Sequence, residues 1–319
     1  MLGMLWQSTS VAEDFTPAAA AGLRSCLDWA VQQLHEARIE TPRADAELLL
    51  AHALSLSRGQ LGVAVALNRP VPADKREEFV RLVSQRASRV PLQHLTGTAP
   101  FRHLELRVGP GVFVPRPETE TLVDEALAFV DGCETQTPIV FDLCTGSGAV
   151  ALALATERAA TRVYAVERDR YALEWAKLNV EAIASQNVTL VAQDVRKLTD
   201  EPALTAELAQ VDVVVSNPPY VPLSMVPKDP EVREYDPHAA LYSGSDGLDL
   251  IRSIIDVSQH FVRPGGLLIL EHAENQGAEI QHLLIKGGWE NTFTRQDLTG
   301  RDRVTGASRP RVGTDCVSR

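Results

Sequence analysis

Residues Val140–Ala155 read VFDLCTGSGAVALALA: an apolar run, a turn built on glycine, and a stretch of Ala and Leu. In that order they predict a β-strand, a tight loop and an α-helix. Glycines let the backbone approach a ligand closely, and the first turn of a helix presents N–H groups with no partner inside the helix. The loop Cys144, Thr145, Gly146, Ser147, Gly148 is therefore a candidate cradle for a nucleotide-type cofactor. Gly146-Ser-Gly148-Ala-Val-Ala151 also satisfies the looser dinucleotide pattern G-x-G-x-x-A, so the loop alone leaves NAD open as a rival.

Outward from this unit, short apolar runs alternate with helical stretches. Strands are expected near 138–142, 162–167, 187–192, 211–216 and 265–271, with two more at 289–295 and 303–306. Alternation of this kind predicts a doubly wound, mostly parallel α/β sheet. Glu167 ends the second strand, RVYAVE, where a carboxylate can accept both hydroxyl protons of a ribose. Asp194 ends the third, LVAQDV, where it can accept from an exocyclic adenine amine or simply form a turn.

The N-terminal third is different. Thr16-Pro17 and Thr41-Pro42 each resemble an N-cap followed by proline at the first helical position. Leu23, Leu27, Ala30, Val31 and Leu34 recur at helical spacing, as do Leu48, Leu49, Ala53 and Leu54, and Phe79, Leu82, Val83 and Ala87 after Pro72. Leu104, Leu106 and Val108 alternate before Gly109-Pro110-Gly111, followed by Val112 and Val114, which predicts a β-hairpin turning at the glycines. The expected organisation is a helical domain over 1–96, a hairpin linker over 97–117 and an α/β domain over 118–319.

Composition narrows the function. The formal net charge of −11 argues against a protein whose main affinity is for a phosphate backbone, since such binding depends on Lys and Arg. Cys26, Cys133, Cys144 and Cys316 are scattered without a Cys-x-x-Cys or a His cluster, so reduced thiols and no metal are expected. The N-terminus carries no cationic leader and no apolar run approaches the ~18 residues a membrane span needs, which predicts a cytoplasmic chain.

The strand at 211–216 ends in Ser216-Asn217-Pro218-Pro219-Tyr220. Two prolines supply no backbone donors and hold φ near −65°, so the strand must stop. Ligands of doubly wound sheets sit beyond the carboxyl ends of the strands, which places Asn217 beside whatever the Gly146 loop holds. Hydride transfer has no evident use for Asn-Pro-Pro-Tyr, whereas methylation of an sp2 amino group does. Such a nitrogen is a poor nucleophile because its lone pair is delocalised. The Asn217 side-chain oxygen and the Pro218 carbonyl can each take one N–H, aiming the lone pair at a methyl group and stabilising the charge that grows on nitrogen. Tyr220 can cover the flat face of the substrate group. This is preorganised electrostatics with acceptors in place of donors. His238 and His272 are conceivable general bases, yet the methylated nitrogen is acidic enough to lose its proton to water.

Asn-Pro-Pro-aromatic resembles the motif of S-adenosylmethionine-dependent amino methyltransferases acting on adenine, cytosine or glutamine side chains. VPLQHLTG (90–97), GVFVPRPETE (111–120), DLCTGSGAVALALA, VSNPPYV, DPEVREYDPHAALYSGSDGLDLIR (229–252), VRPGGLLILEH (262–272) and DLTGRDRVT (297–305) occur in one order. In that order they resemble the peptide chain release factor N5-glutamine methyltransferases of the HemK/PrmC type. The resemblance implies a Rossmann-like class I methyltransferase domain with a seven-stranded, mostly parallel sheet. It also implies methyl transfer from S-adenosylmethionine to the glutamine of the Gly-Gly-Gln loop of class 1 release factors, with the N-terminal domain and hairpin engaging that protein. By position, Cys144–Gly148, Glu167, Asp194, Val195 and Asn217 would contact the cofactor, and Asn217, Pro218, Pro219 and Tyr220 the glutamine, with Phe113–Glu118 flanking. Arg116 and Glu118 either serve the site or pair with each other. The chain departs from the family at Cys144, often Gly, at Val195, where an aromatic often packs on adenine, and at His94, often Tyr. The alternative enzyme is a nucleic-acid amino methyltransferase of the adenine N6 type, which normally brings a basic recognition surface; a third reading is a binding module without chemistry.

Overall fold

The computed structural model describes residues 22–200 and 210–311, which fall into two compact units divided between Thr96 and Gly97. The first contains helices α1 (Leu23–Glu36), α2 (Pro42–Leu54), α3 (Arg58–Ala66), α4 (Ala73–Ala87) and the short α5 (Leu92–Thr96). Leu23, Leu27, Ala30 and Leu34 form one face of α1 and bury against Leu49, Leu50 and Ala53 of α2 and Phe79, Leu82 and Val83 of α4. The helix start expected at Thr16-Pro17 lies outside the described residues.

Thr41-Pro42 does open α2, but Thr41 makes no cap bond. Its hydroxyl donates instead to Asp45 (2.8 Å), a carboxylate only 4% exposed that Arg86 also holds at 2.7 Å. A buried charge left short of donors costs more than a missing cap, so the hydroxyl serves the charge. Helix α3 was not anticipated. Its signal was present: Ser57 and Gln60 form a reciprocal capping box, with bonds of 3.2 and 2.9 Å.

The second unit holds a seven-stranded sheet in the order β5-β4-β3-β6-β7-β9-β8. Its strands are β3 (Ile139–Leu143), β4 (Arg162–Glu167), β5 (Val188–Ala192), β6 (Val211–Ser216), β7 (Val262–Glu271), β8 (Glu290–Gln296) and β9 (Asp302–Ser308). β3 to β7 run parallel, while β9 is antiparallel to β7 and to β8. Side chains alternate between two cores. Val140, Val163, Ala165, Val213 and Val215 pack with α6 (Glu120–Asp131) and α7 (Ala149–Glu157). Phe141, Tyr164, Val166 and Val214 pack with the helices Asp249–Phe261 and Gly277–Lys286. Strands covered on both faces read as continuous apolar runs, and every residue of β6 is buried.

The hairpin is placed differently from the expectation. Its strands are β1 (Thr98–Phe101) and β2 (Leu104–Arg107), joined through Arg102, which takes a left-handed φ of +52°. Pro100 disguised β1, yet a two-stranded ribbon leaves edge positions where proline's missing N–H costs nothing. Gly109–Gly111 instead docks on α8 (Arg170–Ile183). A Cβ on Gly109 would stand 2.6 Å from the Trp175 ring, and Trp175 Nε1 donates to the Pro110 carbonyl at 3.2 Å.

Candidate active site

Strands β3 and β6 are neighbours although β4 and β5 lie between them in the chain. From β3 the chain builds outward to β4 and β5, then returns to add β6 and β7 on the other side, which creates a switch point where a crevice opens above the strand ends. Register pairs Leu143 with Ser216, so the next residues, Cys144 and Asn217, leave the sheet side by side. The Ser216 hydroxyl fastens the two ends by donating to the Leu143 carbonyl at 2.6 Å.

The loop after β3 places Cys144, Gly146 and Gly148 in the left-handed region, with φ of +63°, +58° and +85°. Glycine suits two of these positions; at Cys144 the side chain is carried at a cost of ~1–2 kcal/mol. Burial, with the nearby charges of Glu167 and Asp142, pushes the Cys144 thiol well above its usual range, so it stays protonated. Asp142 braces the loop from beneath. One of its oxygens accepts from the Thr145 hydroxyl (2.5 Å) and from the Ala151 N–H in α7 (3.0 Å), and burial raises its pKa to about 7.

Glu167 at the end of β4 accepts from the Gly146 N–H (3.0 Å) with one oxygen and the Asp169 N–H (2.8 Å) with the other. Each oxygen keeps a second lone pair. Burial raises its pKa despite those bonds. Asp194 is gripped by Arg196 through both oxygens (3.0 and 2.7 Å), which holds its pKa well below the usual carboxylate range. Val195 beside it is 4% exposed.

At the end of β6, Asn217 Nδ2 donates to Thr119 Oγ1 at 3.1 Å. The Tyr220 carbonyl accepts from Gln276 Nε2 at 3.0 Å, and its hydroxyl lies 3.4 Å from Glu271 Oε1 at the end of β7. Burial and the Glu271 charge push the phenol upward, so it remains neutral. Glu271 is 2% exposed, and burial raises its pKa to about 7 against the favourable influence of Thr119 and Arg303.

These groups meet at a cavity of about 440 Å³, within the range of small-molecule sites. Of the residues expected from sequence, Cys144, Thr145, Gly146, Ser147, Glu167, Asp194, Val195, Asn217, Pro219 and Tyr220 line it; Gly148 and Pro218 are buried outside its lining. Phe113, Pro115, Arg116 and Glu118 also line it. Arg116 pairs with Asp236 (3.1 Å) and lies over the Phe113 ring, because the Asp236 side chain is almost wholly buried and needs a counter-charge. His272 is buried with its ring nitrogens at Thr305 Oγ1 (2.7 Å) and the Ala273 carbonyl (2.8 Å), and His238 stacks on Tyr242; neither lines the cavity.

Thr119, Asp142, Glu271 and Arg303 line the cavity and were missed from sequence. Two had a readable signal: Asp142 is a charge inside an apolar strand, and Glu271 ends LLILE much as Glu167 ends RVYAVE. Among the described residues no cluster of His, Cys, Asp or Glu is arranged to hold a metal.

The family described as PrmC N-terminal domain matches residues 25–97, and one described as Conserved hypothetical protein 95 matches 95–231. The chain is 44% identical to the release factor glutamine methyltransferase of Streptomyces coelicolor over 87% of its own length and 95% of that protein's. It is likewise 44% identical to the enzyme of that name from Mycolicibacterium smegmatis, over 90% and 98%. The chain belongs to that family. Because the similarity runs nearly end to end, membership of the release factor glutamine methyltransferases takes in the helical unit as well as the Rossmann-like α/β unit. Among solved structures, a release-factor-specific protein-(glutamine-N5) methyltransferase from Alicyclobacillus acidocaldarius is 26% identical, covering 64% of this chain and 99% of that one, with a TM-score of 0.39.

Proposed function

We propose that this chain methylates the side-chain amide nitrogen, N5, of the glutamine in the Gly-Gly-Gln loop of class 1 peptide chain release factors, using S-adenosylmethionine. The observation that carries the reading is Asn217: its Nδ2 is committed to Thr119, which turns its oxygen, an acceptor, away from Thr119 at the rim of the cavity.

The donor supplies an electrophilic methyl group on a positively charged sulfur. The residues present fit it. Carboxylates outnumber guanidinium groups in the cavity lining, which favours a cation. Glu167 keeps a lone pair on each oxygen for ribose hydroxyls, and the backbone of Cys144–Gly148 lies open to close approach at Gly146, where a Cβ would meet nothing. Asp194 borders the cavity with its carboxylate held by Arg196 and Arg168, and Val195 offers the base an apolar surface in place of an aromatic stack.

Asn217 Oδ1 accepts one hydrogen of the glutamine amide, and the Pro218 carbonyl, though Pro218 itself lies behind the cavity lining, takes the other once the substrate is seated, so the nitrogen lone pair points into the cavity and the charge developing on it is stabilised. Tyr220, neutral and braced through Gln276, walls the planar face. Pro219 holds the turn, and no side-chain base is required. Residues 1–96 engage the release factor, the hairpin region 97–117 links, and 118–319 carry the chemistry. Among the described residues no single helix is long and apolar enough to cross a membrane, in keeping with action in the cytoplasm during translation termination.

Mass spectrometry of an unmodified release factor incubated with enzyme and donor tests this. One added methyl is expected on the loop glutamine and none in a Gln→Ala control. Greater activity on naked DNA or RNA would overturn the assignment.

A further inference from the structure

Glu271 takes no part in holding the donor or the glutamine amide, yet it lines the same cavity as Asn217 and Tyr220. It ends β7, lines the cavity and is 2% exposed, and its Oε2 has no hydrogen-bond partner. A buried carboxylate oxygen left bare is costly, so its retention calls for a reason. Its neighbours supply one. Tyr220 reaches Oε1 with its hydroxyl at 3.4 Å. Thr119, the residue that holds Asn217, lies close enough for its hydroxyl to favour the charged form of Glu271.

A threonine hydroxyl has one hydrogen. Its oxygen accepts from Asn217 Nδ2, so its hydrogen must turn elsewhere, and beside it Glu271 Oε2 is an acceptor with no partner. With the hydrogen on that side the hydroxyl offers Asn217 only lone pairs, and the asparagine presents its NH2 to Thr119 and its oxygen away. The two ends of an asparagine amide have nearly the same shape, so packing alone cannot choose between them; the hydrogen-bond polarity of the neighbour must. We infer that Glu271 is a positioning residue whose negative charge, relayed through Thr119, sets which end of the Asn217 amide faces the reacting glutamine. The inference rests on the glutamine methyltransferase reading for its consequence, though not for its geometry.

Protonation reverses the relay. A neutral Glu271 can donate to Thr119, which then donates to Asn217; the amide turns over and its NH2 meets the substrate's NH2. Two donors cannot bond, so turnover is lost. Burial brings this carboxyl to a pKa of about 7, so the reversal falls near neutrality. The other groups facing it are Glu118, whose charge raises the value, and Tyr220 and Arg303, which lower it. Arg303 is itself tethered to Asp297 (3.3 Å) and to the His272 carbonyl (3.2 Å), and the His272 ring is turned to Thr305.

The test has two readouts. The first is kcat against pH from 5.5 to 9 at saturating donor and release factor. Wild type should lose rate about tenfold per pH unit below an apparent pKa near 7, as for one essential ionised group. Glu271→Gln, which cannot titrate, should be about 10- to 100-fold slower from imperfect positioning and show no such limb. The second readout needs no donor and no turnover. In protein labelled with 15N-asparagine, the Asn217 side-chain signal, identified by its loss in Asn217→Ala, should titrate near pH 7 in wild type and not in Thr119→Val. A wild-type limb retained by Glu271→Gln, or an Asn217 signal that ignores pH in wild type, overturns the inference. A wild type that leaves the glutamine unmethylated while Asn217 titrates refutes the function and leaves the relay standing.

Discussion

Asp142 gives the cleanest thermodynamic test of how the loop is built. Its carboxyl sits 1% exposed at the heart of the switch point, with both hydrogen bonds falling on one oxygen. Burial dominates and raises the pKa from 3.8 to about 7. Below pH 4 the proton is bound in folded and unfolded chain alike, so the group takes nothing from stability. Between pH 4 and 7 the unfolded chain releases its proton while the folded chain keeps it, and stability falls with rising pH until the folded carboxyl ionises. At ~1.4 kcal/mol per pH unit, the gap between 3.8 and about 7 amounts to about 4 kcal/mol, an upper bound because the chain can relax. Asp142→Asn keeps an oxygen for Thr145 and Ala151 and replaces the protonated oxygen with NH2, so it mimics the neutral form at every pH. The expected result in urea unfolding at pH 5 to 9 is a variant whose advantage over wild type grows with pH by a few kcal/mol and levels off near pH 7 to 8. Parallel stability curves would refute the claim that burial sets this proton's affinity.

Asn217→Ala is expected to lower turnover by about 10² to 10³, as for loss of one preorganised group at a reacting centre, read as methylation rate at saturating donor. In Gly247→Ala a Cβ would stand 2.2 Å from the Tyr220 carbonyl oxygen and 2.8 Å from Gln276 Nε2, at a φ of +83°; displacement of Tyr220 should cut kcat by about 10²-fold, read in the same methylation assay. Arg86→Met strands Asp45 without its charge partner in the helical unit and should cost about 3–5 kcal/mol in urea unfolding, much of it recovered by adding Asp45→Asn.

What could be read from the chain alone is what depends on local geometry. The apolar run Val211–Ser216 ends where Asn217 and two prolines end it, and β6 occupies those residues. The glycines after β3 mark left-handed turns, and leucines at helical spacing mark α1, α2 and α4. Local signals also misled where a residue served a distant partner. Gly109–Gly111 looked like a hairpin turn and is a platform for Trp175; Thr41 looked like a cap and donates to Asp45.

The tertiary structure alone decided the composition of the site. That Thr119 meets Asn217 across 98 positions, that Glu271 stands under Tyr220, and that Arg116 answers Asp236 instead of Glu118 follow from strand order and register, which no window of sequence contains. The reason is physical: periodicity and dihedral preference act over a few residues, whereas a buried charge or amide takes its partner from whichever strand end the folded sheet brings beside it.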